Sequence, residues 1–255
     1  MRFHIRFLVI LLVTTWGAGA QGVIIPAIKS GISFQSGEKL TFQIRYGLIV
    51  GGVTVVSLTE EIYNNQAVFH AVATARTTGV AEVIFGVKDI YESWFDRKTN
   101  LPYKQIRNIK EGKYTHYNEV TYNHTNNTID SKLTGIHSVP ENTLDLSTAL
   151  YYIRRIDFSK LNEGDVILLN IYFSDELFPF YLRYSGKEII KTKLGKMNCL
   201  IISPIVEVGR MFKTPDDLKI WLTDDQNCIP VLVKMDIRVV GAVYLKLISY
   251  ENTAH

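Results

Sequence analysis

The sequence predicts a mainly β protein: a large, strongly bent antiparallel sheet or incomplete barrel with one central helix. Three observations predict it. Apolar and polar residues alternate over most of the chain, short turn signals interrupt that alternation, and one long stretch at about 145–157 follows a helical period instead. A two-residue period places one set of side chains on a core face and the other towards solvent or a ligand; a 3.6-residue period makes one face of a helix.

The first twenty residues stand apart. Arg2, His4 and Arg6 make a basic start, Phe7 to Trp16 is an apolar run, and Ala18-Gly19-Ala20 supplies small residues before Gln21. That order predicts a cleaved export signal at 1–20. The apolar run is about half the roughly 20 residues a spanning helix needs. No cysteine lies near the cut, so a lipoprotein is not expected, and no later apolar run reaches spanning length. The expected location is periplasmic or outer-membrane-associated. Removing Arg2 and Arg6 takes Lys+Arg from 28 to 26 against 25 Asp+Glu. That balance gives no sign of the concentrated basic face of a nucleic-acid binder.

After an N-terminal extension at 21–34, residues 35–251 read as one β-rich domain. Leu40, Phe42, Ile44 and Tyr46 alternate with Lys39, Thr41, Gln43 and Arg45. Asn64-Asn65, Glu111-Gly112-Lys113, Asn126-Asn127, Ser185-Gly186 and Gly195 are turn signals. Residues 78–85 allow a short helix before Gly86. Residues 134–144, with Gly135 and Pro140, read as a loop, and 134–157 as a seam between two halves of the sheet. In the central helix Leu146, Ala149, Leu150 and Ile153 share a face, with Asp145 or Ser147 as N-cap. Residues 197–207, 217–223 and 229–239 read as three successive strands. An outer-membrane barrel is the rival architecture; the central helix and the lack of a terminal aromatic after Tyr250 argue against it.

Chemical motifs are sparse. There is no G-x-S-x-G elbow. Ser36-Gly37-Glu38-Lys39 matches S-x-x-K but opens a strand, and reads as a turn. His70, His116, His124, His137 and His255 form no H-E-x-x-H, no C-x-x-C pair exists, and Gly51-Gly52 lacks the context of a phosphate loop. No catalytic residue, metal or cofactor is therefore expected. Asp175-Glu176, Asp216-Asp217 and Asp224-Asp225 read as turn carboxylates bonding nearby amides. Tyr151, Tyr152, Arg154 and Trp221 are the candidate ligand-binding residues. Arg154 lies close to the face bearing Leu150 and Ile153; anchoring of the helix is its expected role and grip on an anionic group the alternative. Cys199 and Cys228 are the only cysteines. One strand separates them in the three-strand reading, a gap of roughly 9–10 Å against the roughly 7 Å limit of a disulfide. The bridge is disfavoured, although strong curling or another register would close the gap.

Several segments together resemble the bacterial family called domain of unknown function 3108. They are Gly37-Glu38-Lys39-Leu40 with Ile44 to Gly52, Asp145-Leu146-Ser147 before Tyr151 to Arg154, Gly195 to Cys199, and Ile220-Trp221-Leu222-Thr223-Asp224-Asp225 leading to Ile229-Pro230-Val231 and Val239-Val240-Gly241. The resemblance spans roughly 35–251. It implies an exported β-rich protein and transfers no activity or catalytic residue. At Cys228 the chain departs from the basic residue usual there, so no family-wide disulfide is implied. Together these readings favour a non-catalytic envelope protein that binds a lipidic or other envelope-derived ligand. The alternatives are a scaffold for another envelope protein and an unrecognised hydrolase.

Overall fold

The computed structural model describes residues 22–209 and 211–255, so the export signal expected at 1–20 lies outside the described residues. The strands are β1 (Val23–Ile24), β2 (Lys39–Tyr46), β3 (Ile49–Tyr63), β4 (Gln66–Thr77), β5 (Lys88–Asp96), β6 (Pro102–Glu111), β7 (Tyr114–Asn123) and β8 (Thr128–Ser131). They continue as β9 (Gly135–Ser138), β10 (Val166–Phe173), β11 (Glu176–Thr192), β12 (Gly195–Pro204), β13 (Leu218–Thr223), β14 (Pro230–Ile237) and β15 (Gly241–Glu251). Two α-helices, α1 (Val80–Ile84) and α2 (Leu146–Arg155), interrupt them.

All fifteen strands join one sheet. Its order runs from β1 to β10, through β15, then across to β2 and on to β9. Only the short β1–β10 pair is parallel. Neighbours in sequence are neighbours in space almost throughout, because two-residue turns such as Asn64-Asn65, with φ of 49° and 63°, return the chain on itself. The sheet does not close into a continuous ladder. Side chains and one segment of loop span the gap instead. Leu144 donates its N–H to Asn170 O and accepts from Tyr172 N, both at 2.8 Å. Asp175, in the β10–β11 turn, accepts from Asn118 of β7 and Ser131 of β8 at 2.7 and 2.6 Å.

Helix α2 lies against the concave face. Asp145 caps it, accepting from Thr148 N at 2.8 Å while Thr148 Oγ1 accepts from Asp145 N at 2.9 Å. Ser93 of β5 also donates to Asp145. On one side of the helix, Ala149 and Ile153 pack with Leu169, Ile171, Leu182, Leu200 and Leu222. On the other, Tyr151 packs with Phe34, Leu40, Phe42, Leu58 and Phe95.

Three local expectations change. Ser185-Gly186 is not a turn: β11 runs through it, and Gly186 at φ 89° sits in a bulge between Tyr184 and Lys187. The stretch 134–144 is not all loop, since 135–138 pair with β8 as β9. Finally, the buried face of α2 is Thr148, Ala149, Tyr151, Ile153 and Arg154, whereas Leu146 is 42% exposed. A helix held inside a curled sheet meets apolar surface on two sides, so one amphipathic stripe does not describe its burial.

Candidate functional site around helix α2

The most concentrated buried chemistry is a knot at the C-terminal end of α2. Arg154 is 0% exposed and makes a forked pair with Glu38, Nη1 to Oε1 at 2.6 Å and Nη2 to Oε2 at 2.7 Å. Its Nε donates to Asn227 O at 3.0 Å and Nη2 also to Ser33 O at 2.9 Å. The guanidinium lies 5.3 Å from the Phe34 ring centre and 5.5 Å from that of Tyr151. A planar five-donor fork suits such a set of acceptors. One side chain thereby ties α2 to the extension before β2, the start of β2 and the β13–β14 turn.

Asn227 extends the knot outward. Its side chain donates to His255 O at 2.6 Å and accepts from His255 N at 3.0 Å. Asp225 holds the same turn by accepting from Asn227 N and Cys228 N at 2.9 Å each. An open hollow of about 370 Å³ lies beside it, lined by Asn198, Asp224, Asp225, Tyr250 and His255 among others. The remaining paired carboxylates divide. Asp217 serves its own turn as expected, accepting from Thr214 N. Asp216 and Asp224 instead reach Arg183 and Lys187 of β11, the latter at 2.7 Å, and Asp175 reaches Asn118 and Ser131.

The four candidate ligand-binding residues do not converge. Tyr151 and Arg154 share the knot. Tyr152 is half-buried against the cluster on the other side of α2. Trp221 packs with Cys199 and Val231 and donates to Glu188 at 2.9 Å. Its neighbour Leu222 belongs to the helix-side core, so alternation along β13 turns Trp221 away from α2. Glu38, Ser33 and Asn227 were not among the expected site residues. Glu38 carried a signal: it continues the period of Leu40, Phe42 and Ile44, which puts a carboxylate on an apolar face. The two backbone acceptors carried none.

Both cysteines are buried as free thiols. Burial, with help from Glu188, Asp224 and Asp225, pushes the Cys199 thiol up to about 11. Burial also raises Cys228, against the opposing pull of Lys29, whose Nζ lies 3.1 Å from Sγ. Protonated, buried thiols are poor nucleophiles. Neither cysteine is expected to react with a disulfide reagent in the folded protein, and both should react once it is denatured without reductant. Absence of thiol after denaturation would show that the pair had bridged.

A second constellation lies on the outer face. His70 stacks on Trp94 at 4.1 Å between Glu61, 2.7 Å from Nδ1, and Glu92, 3.1 Å from Nε2. Trp94 donates to Glu61 at 2.9 Å, and that bond, with His70, holds the Glu61 carboxyl below its ordinary range. Among the described residues no group of three His, Cys, Asp or Glu side chains is arranged to hold a metal ion. No helix among them is long and apolar enough to cross a membrane.

The family model described as "Protein of unknown function (DUF3108)" matches residues 41–248. No curated protein matches the sequence. Among solved structures, a beta-barrel-like protein of the domain of unknown function DUF1849 from Brucella abortus superimposes with a TM-score of 0.58. It is 8% identical, and the match covers 86% of this chain and 99% of that one. A DUF1089 family protein from Pseudomonas aeruginosa gives a TM-score of 0.40 at 7% identity, over 86% of this chain and 98% of that one. The first of these likenesses shows the fold, an incomplete barrel.

Proposed function

We propose, from the premise that the chain belongs to the DUF3108 family of proteins of unknown function, that it is a non-catalytic envelope protein binding through its outer surface. One observation carries the reading. The concave face, where a carrier would hold its cargo, is occupied by α2, and the Arg154 fork there is spent on Glu38. A cargo in that face would have to displace a helix held by a buried forked ion pair. The hydrolase alternative asks for a nucleophile beside a histidine in a cleft; His70 has a carboxylate at each ring nitrogen, and the hydroxyl beside His137, Thr134 Oγ1 at 2.8 Å, is exposed. Export is supported by the basic start, apolar run and small residues before Gln21.

Native mass spectrometry with organic extraction, on protein purified gently from the envelope fraction, tests the surface reading. The expected result is a chain beginning at Gln21 with no bound lipid. A stoichiometric lipid surviving gel filtration would replace surface binding with cargo carriage. A chain still starting at Met1 in the cytosol would overturn export.

A further inference from the structure

Four turns line up along one rim of the sheet. They are β14–β15, β2–β3, the α1 connection between β4 and β5, and β6–β7. Contacts join them in that order. A Cβ on Gly241 would stand 3.6 Å from the Tyr46 ring. Thr78 N donates to Gly51 O at 3.1 Å, and Gly112 N to Gly86 O at 2.7 Å.

This rim is apolar where a sheet end should be polar. Leu48 is 92% exposed, Val83 87%, Ile84 78% and Val239 75%, and Ile49 and Val80 are exposed beside them. Scattered exposed apolar residues are ordinary, but a contiguous set on adjoining loops marks an interaction surface. Charge says what kind. Residues 45–50, 76–88, 110–115 and 237–241 carry Arg45, Arg76, Lys88, Lys110, Lys113 and Arg238 against two carboxylates, Glu82 and the buried Glu111. The chain without its first twenty residues is close to neutral, so this local excess is a feature of the rim. Two copies meeting rim to rim would bring six cations against six, which disfavours a symmetric self-contact.

We infer that this rim is a docking surface for an anionic lipid bilayer, with the apolar turn residues entering the interface and the cations meeting the headgroups. Shallow apolar insertion combined with a basic collar is how peripheral proteins hold anionic membranes. The inference rests on the surface-binding reading above and names the surface.

Vesicle co-sedimentation of residues 21–255, which contain every described strand, tests it. Expected is binding to phosphatidylcholine vesicles doped with phosphatidylglycerol, loss of that binding in high salt, and little binding to phosphatidylcholine alone. The variant Leu48→Asp/Val83→Asp/Ile84→Asp should bind about tenfold or more weakly, as should Lys88→Glu/Lys113→Glu. Ile62→Asp, an exposed apolar position at the far end of β3, should bind as the parent does. All these sites are exposed, and circular dichroism should show unchanged folds. No sedimentation at low salt, or undiminished binding by the triple variant, would overturn the proposal. So would a dimer in light scattering that the triple variant dissolves, which would assign the rim to a second copy. A chain free of internal lipid that ignores vesicles overturns the lipid surface alone; a chain that carries internal lipid overturns the surface-binding reading.

Discussion

Replacing Glu38 by Gln is expected to cost about 3–5 kcal/mol of unfolding free energy, because it strands the Arg154 charge without water. The size follows from burial: the two side chains are 0% and 1% exposed. Two neutral carbonyls, from Ser33 and Asn227, remain as partners and do not offset a full charge. The paired change Glu38→Leu/Arg154→Met should recover more than half of the loss, since both charges leave together. It leaves those carbonyls short of a donor, so full recovery is not expected. Urea unfolding of the three variants checks this. A single-variant loss below about 1 kcal/mol would mean that the knot is hydrated and weak, as exposed pairs are.

A carboxyl at the other end of α2 should make the fold prefer mild acid. Burial pushes Asp145 from an ordinary 3.8 up to about 6, against the opposing effect of the Ser93 and Thr148 hydrogen bonds. Asp89 is likewise raised to about 6 by burial, against the Lys110 N–H and Arg107. A carboxyl whose folded value exceeds its unfolded value binds more protons when folded. Its stabilising contribution is complete below the unfolded value and is lost as pH rises through the folded one. For Asp145 the difference corresponds to about 3 kcal/mol, lost between about pH 4 and pH 6. Glu61, Asp96, Glu119, Asp157 and Asp217 are lowered and work the other way, losing stability as pH falls through their folded values. The informative quantity is thus a difference between variants. Asp145→Asn keeps an acceptor for Thr148 N and removes the titration. It should be about 2 kcal/mol more stable than the parent near pH 8, with the gap closing near pH 4. Equal slopes for the two proteins across that range would show that Asp145 is solvated.

The outline of this fold was legible because its physics is local. Alternation through Leu40, Phe42 and Ile44 and turn pairs such as Asn64-Asn65 specify strands without reference to distant residues. The helix was legible for the same reason, and of the two N-caps the pattern allowed, Asp145 and Ser147, the structure uses Asp145. The bulge at Gly186 was not, because a glycine at positive φ serves a turn and a bulge alike. The candidate site was legible in half. Arg154 drew attention as a cation near an apolar face, but its partner lies 116 residues away and its backbone acceptors 73 and 121. No spacing rule reaches that far. Trp221 shows the opposite error: a large aromatic in an alternating strand is packed on the wrong side of the sheet to join Tyr151.

The strand order has a consequence for how the chain is made. Strands β2 to β9 and β10 to β15 are two meanders, and the ladder between β15 and β2 joins them, pairing Glu251 with Lys39. A chain emerging from its N-terminus builds the first meander early, yet one flank of β2 stays bare until the last strand arrives. A bare flank is a template for pairing with another chain. The same interval leaves Arg154 without Asn227, which lies just ahead of β14. Synthesis halted before β15 would yield nearly a whole protein that is adhesive at its first long strand, and this topology gives a cell reason to shield that strand or finish quickly.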